Sequence, residues 1–465
     1  MKKIHILFTC LCLLSLATGC GKDFLDMKRS ANQVVPSTVA DFKAIINRDI
    51  MNSAYCSLSL IGSDEFYVAS EQELTAGAGS ALYEKNAYLW ADNIFGSEQN
   101  YPDWNLAYER IMYANLALNI ENISPKATEK EDYDHVCIAA RFHRAWNLYQ
   151  LAQAFCKVYT KETAGTDPGI PIRLDYDVSV KYGRSTVQAV YDQILKDLND
   201  AEAIQLNNDN NIYMPGTLAV QALLSRVYLQ IGDYEKAMDY AGKVLEKKNI
   251  LVDYNKLSGQ ISDEFSSYFQ RYGQDNPAIV YYSGTGIGGV MWVSRINSAA
   301  WLTGSFENGD LRENFYFFKR PDGTKVFIGS YCGEGGTTLF TGLSVEEMLL
   351  IRAECAARLG QLETAARDLN TIRKNRFDSK NYIAVENMQK DELLTMILKE
   401  REKELYMRGS RWEDARRLNR EGKFQVTFER ELNGTIYKLQ QGTTKWVWPI
   451  PENEISSNGL QQNER

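Results

Sequence analysis

Apolar residues recur every three to four positions through most of the chain, the spacing that gives an α-helix a single apolar stripe. The pattern predicts helices over residues 103–122 (DWNLAYERIMYANLALNIEN), 133–159 (containing AARFHRAWNLYQLAQAF) and 185–206 (STVQAVYDQILKDLNDAEAIQL). Two further segments overlay one another, LSRVYLQIGDYEKAMDYAGKVL from Leu224 and RAECAARLGQLETAARDLNTIR from Arg352, with Gly232 on Gly360 and Ala237 on Ala365. Each reads as a helix, a glycine-led turn and a second helix whose alanine lets the pair approach closely, the form of a tetratricopeptide-type hairpin. One hairpin cannot bury its own apolar face, so several must stack, and the expected fold class is mainly α.

The periodicity breaks in two places. In DPGIPIRLDYD, Pro168, Gly169 and Pro171 forbid a helix and set an extended loop. Residues 257–342 turn to glycine, serine and aromatics, with short β-rich runs such as AIVYYS and KVFIGSYC. So long an irregular excursion from a helical scaffold points to a binding region, because loops on a rigid frame present functional groups. The helical pattern resumes, and KDELLTMILKEREKELYMRGSRWEDARRLNR predicts a last helix pair; KWVWPIPENEISSN is expected to close the chain as a short strand and a proline turn.

The amino terminus is of another kind. Lys2 and Lys3 precede an apolar run from Ile6 to Leu16, long enough for a secretion-signal core and short of the roughly 20 residues of a membrane span. Ala17, Thr18 and Gly19 then lead to Cys20, where a lipoprotein signal places its acylated residue. Leu16 stands four residues before Cys20 rather than the commoner three, and the alternative is an ordinary cleaved signal. Several acyl chains on Cys20 would anchor the protein firmly, since two lipid signals already suffice. No later run of apolar residues is long enough to span a membrane. The chain therefore divides into a signal peptide (1–19), an N-terminal helical region that begins with a polar tether (20–256), the loop-rich excursion (257–342) and a C-terminal helical region (343–465).

With 465 residues and 44% hydrophobic content, the chain can bury a substantial core. The formal charge of -8 becomes more negative once Lys2 and Lys3 leave, so no basic footprint for nucleic acid exists. Beyond the signal, Cys56, Cys137, Cys156, Cys332 and Cys355 show no C-x-x-C spacing, which favours buried free thiols over disulfides or a zinc site. Only His135 and His143 remain after the signal, so neither a metal site, a cofactor site nor a histidine triad is expected.

Three constellations could carry chemistry. GTGIGG at 284–289 satisfies G-x-G-x-x-G after a strand-like run, but the following VMWVSRINSAAW is β-branched and aromatic, and no βαβ unit surrounds it; a loop is expected, not a dinucleotide cradle. Glu400, Arg401, Glu404, Arg411, Trp412 and Asp414 resemble the carboxylate kit of a glycosidase. Glu400 and Glu404 lie one helical turn apart on one face, however, so ion pairing that fixes the last hairpin is the preferred role. The aromatics are the best ligand-binding candidates: Trp90 and Tyr101 bracket a polar, turn-rich segment, while Trp292, Arg295 and Trp301 lie in the excursion. Flat rings stack on sugar faces or bury peptide side chains, and packing is an equally natural role for each. Trp104 and Trp412 fall on helical patterns and are assigned to the core.

Taken in order, CGKDFLD, AARFHRAWNLYQLAQAF before PGIPI, EEMLLIRAECAARLG, KEREKELYMRGSRWEDARRL and WVWPIPENEI resemble the SusD/RagB family of outer-membrane nutrient-binding lipoproteins over nearly the whole mature chain. The resemblance implies tetratricopeptide-like units, surface exposure on the outer membrane, and a SusC-like TonB-dependent transporter as partner. It also implies helical units that face the transporter, a ligand site carried mostly by the excursion, and no catalysis. An oligosaccharide is the expected ligand; peptide capture by the same architecture, a surface glycosidase and a ligand-free scaffold are the alternatives. Radiolabelled palmitate is expected on the mature amino terminus, and Cys20→Ala is expected to release the protein from membranes; a soluble, unlabelled wild-type protein would refute the anchor.

Overall fold

The computed structural model describes residues 36–465 apart from 54–55, 77–80, 96–100, 205, 207–210, 287, 295–296, 334 and 336, with backbone alone at 293–294. The signal segment, Cys20 and Arg295 lie outside the described residues. Before the excursion come helices α1 (Val39–Ile46), α2 (Ser57–Gly62), α3 (Glu71–Ala76), α4 (Leu82–Tyr88), α5 (Pro102–Leu118), α6 (Lys130–Phe155), α7 (Val187–Glu202), α8 (Thr217–Ile231) and α9 (Tyr234–Lys247). Within it lie α10 (Gly289–Ser294), α11 (Ala300–Thr303) and α12 (Arg312–Tyr316); after it come α13 (Val345–Arg358), α14 (Leu362–Arg376), α15 (Lys390–Glu404), α16 (Ser410–Leu418) and α17 (Glu452–Asn458).

The long helices stack in chain order: α5 on α6, α6 on α7, α7 on α8 and α8 on α9. Next, α9 packs directly on α13, and α13 on α14 and α15. The excursion is thus looped out of a continuous helical stack, and residues from Val39 to Arg465 form one compact unit. The hairpin chemistry is as the overlay of the two repeats requires. Gly232 and Gly360 end their helices at φ of 90° and 81°, a left-handed conformation costly for any residue with a Cβ. Ala237 and Ala365, one turn into the next helix, are wholly buried. The Asp233 carboxylate accepts from Lys236 N–H at 3.1 Å and Thr186 Oγ1 from Ala189 N–H at 3.1 Å, so α9 and α7 each begin on a side-chain cap.

The strands are short and antiparallel. β1 (Phe66–Tyr67), β4 (Asn297–Ser298), β6 (Lys325–Phe327) and β5 (Phe317–Lys319) form one sheet in that order; β2 (Ile279–Tyr281) pairs with β8 (Leu343–Ser344), and β3 (Gly284–Gly286) with β7 (Thr338–Phe340). The β-rich runs AIVYYS and KVFIGSYC therefore do form strands. A hairpin, β9 (Phe428–Leu432) with β10 (Thr435–Leu439), was not anticipated from periodicity. Its local signal is Asn433-Gly434, both at positive φ, as a two-residue hairpin turn demands. The strand expected in KWVWPIPENEISSN does not form: Thr444–Trp446 is a 3-10 turn, and Glu452–Asn458 is helical. Its backbone groups go elsewhere, with Trp448 N–H donating to Ala154 O at 2.9 Å and so closing the end of α6.

Trp104 and Trp412 are core residues as expected; Trp412 stacks on Trp448 with ring centroids 4.9 Å apart. All five described cysteines are buried free thiols.

The charged motif of the last hairpin is buried, and its partners are more distant than its spacing suggests. Arg401 Nε does reach Asp414 Oδ2 at 2.7 Å, from α15 to α16. Glu400 and Glu404 instead receive Arg312 from the excursion, at 2.6 and 2.9 Å. Arg312 also binds Asp310 at 2.7 Å, while Arg376 at the end of α14 bridges Glu404 at 2.7 Å and Glu346 at 3.0 Å. Nearby, Arg417 grips Glu354 at 2.6 and 2.7 Å, and Arg226 on α8 grips Glu347 at 2.6 Å through both nitrogens. Burial alone would raise the Glu400 carboxyl, but Arg312, Lys403 and Arg373 outweigh it and hold the group at about 2; against the same burial, Arg417 and Arg358 hold Glu354 at about 2.

Two other buried carboxyls behave oppositely. Burial dominates at Glu413, hydrogen-bonded by Tyr149 Oη, and at Glu65, bonded by Met407 N–H, and pushes each up to about 7. Carboxylates held below their ordinary 4.5 add stability that is complete above that pH and lost as pH falls toward 2. Carboxyls held above 4.5 add stability that is complete below that pH and lost as pH rises through 7. Thermal stability is therefore expected to peak near pH 5, falling steeply in acid and gently toward neutrality, and Glu413→Gln should flatten the neutral-side fall. A melting temperature that rises steadily from pH 5 to 8 in the wild-type protein would contradict this.

Candidate ligand-binding site

The chain has eight tryptophans, and their burial separates them. Six are in the core, Trp301 is half-buried, and Trp292 is 42% exposed. The six-residue helix α10 carries Trp292 and packs on α3 and α4. Its N-terminus is held by Glu84 of α4, whose Oε2 accepts from Val290 N–H at 3.0 Å, and Trp292 N–H donates to Gly288 O at 3.3 Å. The helix end that follows GTGIGG is thus filled by a protein carboxylate. A short helix does follow that motif, contrary to expectation, but β3 pairs antiparallel with β7, and no βαβ unit surrounds it among the described residues.

Immediately after α10, β4 pairs with β1, with Tyr67 opposite Asn297. Phe66 points into the core and Tyr67 out to solvent, as strand alternation requires. Tyr67, Leu82 at the start of α4, and Trp292 are the exposed large apolar residues of these contacting elements. Neither Tyr67 nor Leu82 was singled out from sequence; the period-two alternation of Phe66 and Tyr67 is the signal that could have found the tyrosine.

Trp90 and Tyr101 prove to be packing residues. Trp90 is 1% exposed; its Nε1–H donates to Gly62 O at 3.0 Å, and the Arg430 guanidinium lies 4.5 Å from its ring centroid. Tyr101, also 1% exposed, packs against Phe95 at 4.1 Å and Tyr83 at 6.4 Å, next to the Glu84 that fixes α10. A ring enclosed on both faces has no surface to offer a ligand.

Trp301, on α11, faces a different hollow. Its Nε1–H donates to Asp64 O at 2.8 Å and Arg411 lies 4.9 Å from its ring, which fixes the indole. The ring lines a cleft of about 760 Å³ whose other walls include Met388, Met396, Lys399, Glu307 and Arg373. Arg373 grips Glu307 through two 2.9 Å bonds, and that pairing holds the Glu307 carboxyl below its ordinary value. Trp292 and Trp301 thus flank β4 but do not share this cleft.

Glu65 and Glu413, held near neutrality, are enclosed; Glu400 at the cleft is held ionised by three cations, and Glu402 on the cleft wall, raised by burial, is tied to the Arg411 guanidinium. A proton donor for glycosidic cleavage needs the reverse: a raised carboxyl open to substrate, with a partner across a gap. What the arrangement offers a ligand is aromatic faces on fixed supports.

Residues 23–229 match a family model described as starch-binding and associating with the outer membrane, and residues 345–465 match the SusD family model, together more than half of the chain. The SusD-like protein P38 of Formosa agariphila is 24% identical, over 91% of this chain and 97% of its own. A SusD superfamily protein of Bacteroides thetaiotaomicron VPI-5482 superposes with a TM-score of 0.68 at 21% identity, covering 92% of this chain and 100% of that one. A laminarin-binding SusD-like protein superposes with a TM-score of 0.61 at 16% identity, covering 91% and 98%. The helical stack with its looped-out excursion is the SusD-like architecture, and the chain belongs to the SusD/RagB family. That family is associated with the outer membrane, and among the described residues no helix is long and apolar enough to cross a membrane.

The two kinds of tryptophan should separate experimentally. Trp90→Ala is expected to cost about 3–5 kcal/mol of stability as a large core truncation, whereas Trp292→Ala should stay within about 0.5 kcal/mol as a surface change. Denaturant titration of both variants checks this, and equal losses would contradict the division.

Proposed function

We propose that this protein captures oligosaccharides at the cell surface and delivers them, uncleaved, to a SusC-like TonB-dependent transporter in the outer membrane. The observation that carries the proposal is Trp292, the exposed tryptophan of the chain, on a helix braced by Glu84. An indole left in water at the cost of its own burial suits stacking on the apolar face of a pyranose. Tyr67 on the paired strand is proposed to complete the face, and Trp301 to offer a further contact in its own cleft; Arg295, a candidate from the sequence, lies outside the described residues. A rigid platform keeps the ordering penalty of binding small, because little side-chain freedom remains to be lost.

Membership of a sugar-binding family supports the ligand class, and the lipobox at Cys20 supports surface attachment. The absence of catalysis is proposed because Glu65 and Glu413 are enclosed, while Glu402, the raised carboxyl of the Trp301 cleft, is tied to Arg411 and shares that cleft with Glu400, held ionised by three cations.

Titration calorimetry against a panel of neutral oligosaccharides, with a peptide mixture as control, tests the proposal. At least one glycan should bind and be recovered intact, and Trp292→Ala should weaken it tenfold or more, about 1.4 kcal/mol. Binding of peptides alone, or recovery of a shortened glycan, would overturn it.

A further inference from the structure

A second concave surface lies on other elements. Between α5, the loop 171–182 and α17 is a hollow of about 460 Å³ that takes none of its lining from the Trp292 platform or the Trp301 cleft. Loops over helical scaffolds are ordinarily mobile; this one is clamped. Asn115 of α5, itself buried, donates through Nδ2 to Arg173 O at 3.1 Å and Asp175 O at 3.0 Å, and its Oδ1 accepts from Arg144 at 2.9 Å. Tyr108 Oη donates to Pro171 O at 2.8 Å. Held in this way, the loop presents the Tyr176 ring 49% exposed, and it presents Tyr182 with the Arg173 guanidinium 4.9 Å from its ring centroid. Met112 and Pro171 complete an apolar patch.

The polar groups of the hollow have a definite character. The Asn105 amide and the Tyr176 and Tyr182 hydroxyls have no hydrogen-bond partner among the described residues, so a ligand could engage them without breaking an internal bond. The charged groups are Glu109, Asp175 and Glu454 against Arg173. A net negative lining repels uronate and sulfate, while carboxylates accept bonds from hydroxyls. Aromatic faces, free amide and hydroxyl groups and acidic acceptors on a preformed wall fit a neutral sugar chain.

We propose that this hollow is a second saccharide-binding site, selective for neutral glycans, with Tyr176 and Tyr182 as its stacking rings. It rests on the saccharide-binding function proposed above and adds a second point of attachment. A glycan long enough to reach both surfaces, or two glycans at once, would then be held with avidity beyond either alone.

Titration calorimetry of the full mature chain with maltohexaose, laminarihexaose, mannohexaose and xylohexaose, and with oligogalacturonate as the charged control, tests the site. Wild type, Trp292→Ala, the double variant Tyr176→Ala/Tyr182→Ala and the triple variant are compared. Trp292→Ala should retain weak binding of a neutral hexaose, which the triple variant loses by tenfold or more; oligogalacturonate should not bind the Trp292→Ala protein. Both tyrosines are on the surface loop, and an unchanged melting temperature of the double variant verifies that the fold is intact. If Trp292→Ala abolishes all binding, or if its residual binding survives in the triple variant, the second site is refuted while the primary function stands. If oligogalacturonate binds the Trp292→Ala protein as well as a neutral hexaose does, the selectivity for neutral glycans is refuted. If the wild-type protein binds no glycan, both proposals fall together.

Discussion

The structure depends on a set of guanidinium–carboxylate pairs closed off from water. Arg312, carried by the excursion, is wholly buried and shared between Asp310, Glu400 and Glu404, and Arg376 shares Glu404 and reaches Glu346. Those residues come from the excursion, α13, α14 and α15, so one network fixes four separate parts of the chain. Taking such charges out of water costs several kcal/mol per ion and is repaid only when every partner is in place. The consequence is specificity of arrangement: a displaced excursion would take Arg312 away from Glu400 and Glu404 while both remained buried, and breaking a buried pair is strongly destabilising. Tyr331, also from the excursion, adds a 2.6 Å bond to Glu346 and closes the same knot.

That constraint explains how a segment of short strands and turns can serve as a binding surface. A four-stranded sheet of two- and three-residue strands is marginal by itself, yet Phe66 of β1 packs on Tyr88 of α4, and Phe317 of β5 and Phe327 of β6 pack on Tyr406, two residues beyond Glu404. The aromatic platform is carried on elements whose positions are already fixed. Glu84 bonds the first turn of α10, and Trp292 on that helix is 42% exposed. The clamp of Asn115 on the 171–182 loop uses the same logic on other elements: the buried amide donates to two carbonyls of irregular backbone, and its oxygen accepts from the Arg144 side chain.

The segments that match the family models, 23–229 and 345–465, carry the helical stack, and the excursion at 257–342 lies between them. The chain as a whole nonetheless aligns with its relatives over more than nine-tenths of its length.

The helical hairpins were legible in the sequence because their determinants are local: a 3.6-residue apolar period, a glycine at the left-handed turn, an alanine at the close approach. Gly232, Gly360, Ala237 and Ala365 do what their positions in the repeat require. The core roles of Trp104 and Trp412 followed from the same periodicity. Whether Trp90 and Tyr101 pack or face a ligand was open in the sequence, since a polar, turn-rich stretch says nothing about what folds over it; Arg430, some hundreds of residues later, covers the indole. The partners of Glu400 and Glu404 were equally out of reach, because an i,i+4 spacing reveals which groups share a helical face but not which distant arginine arrives there. Sequence by itself determined the repeating scaffold and the class of protein, since both are written in short-range pattern. Only the tertiary structure decided which rings face water and which charges meet, since burial is a property of chain segments brought together across hundreds of residues.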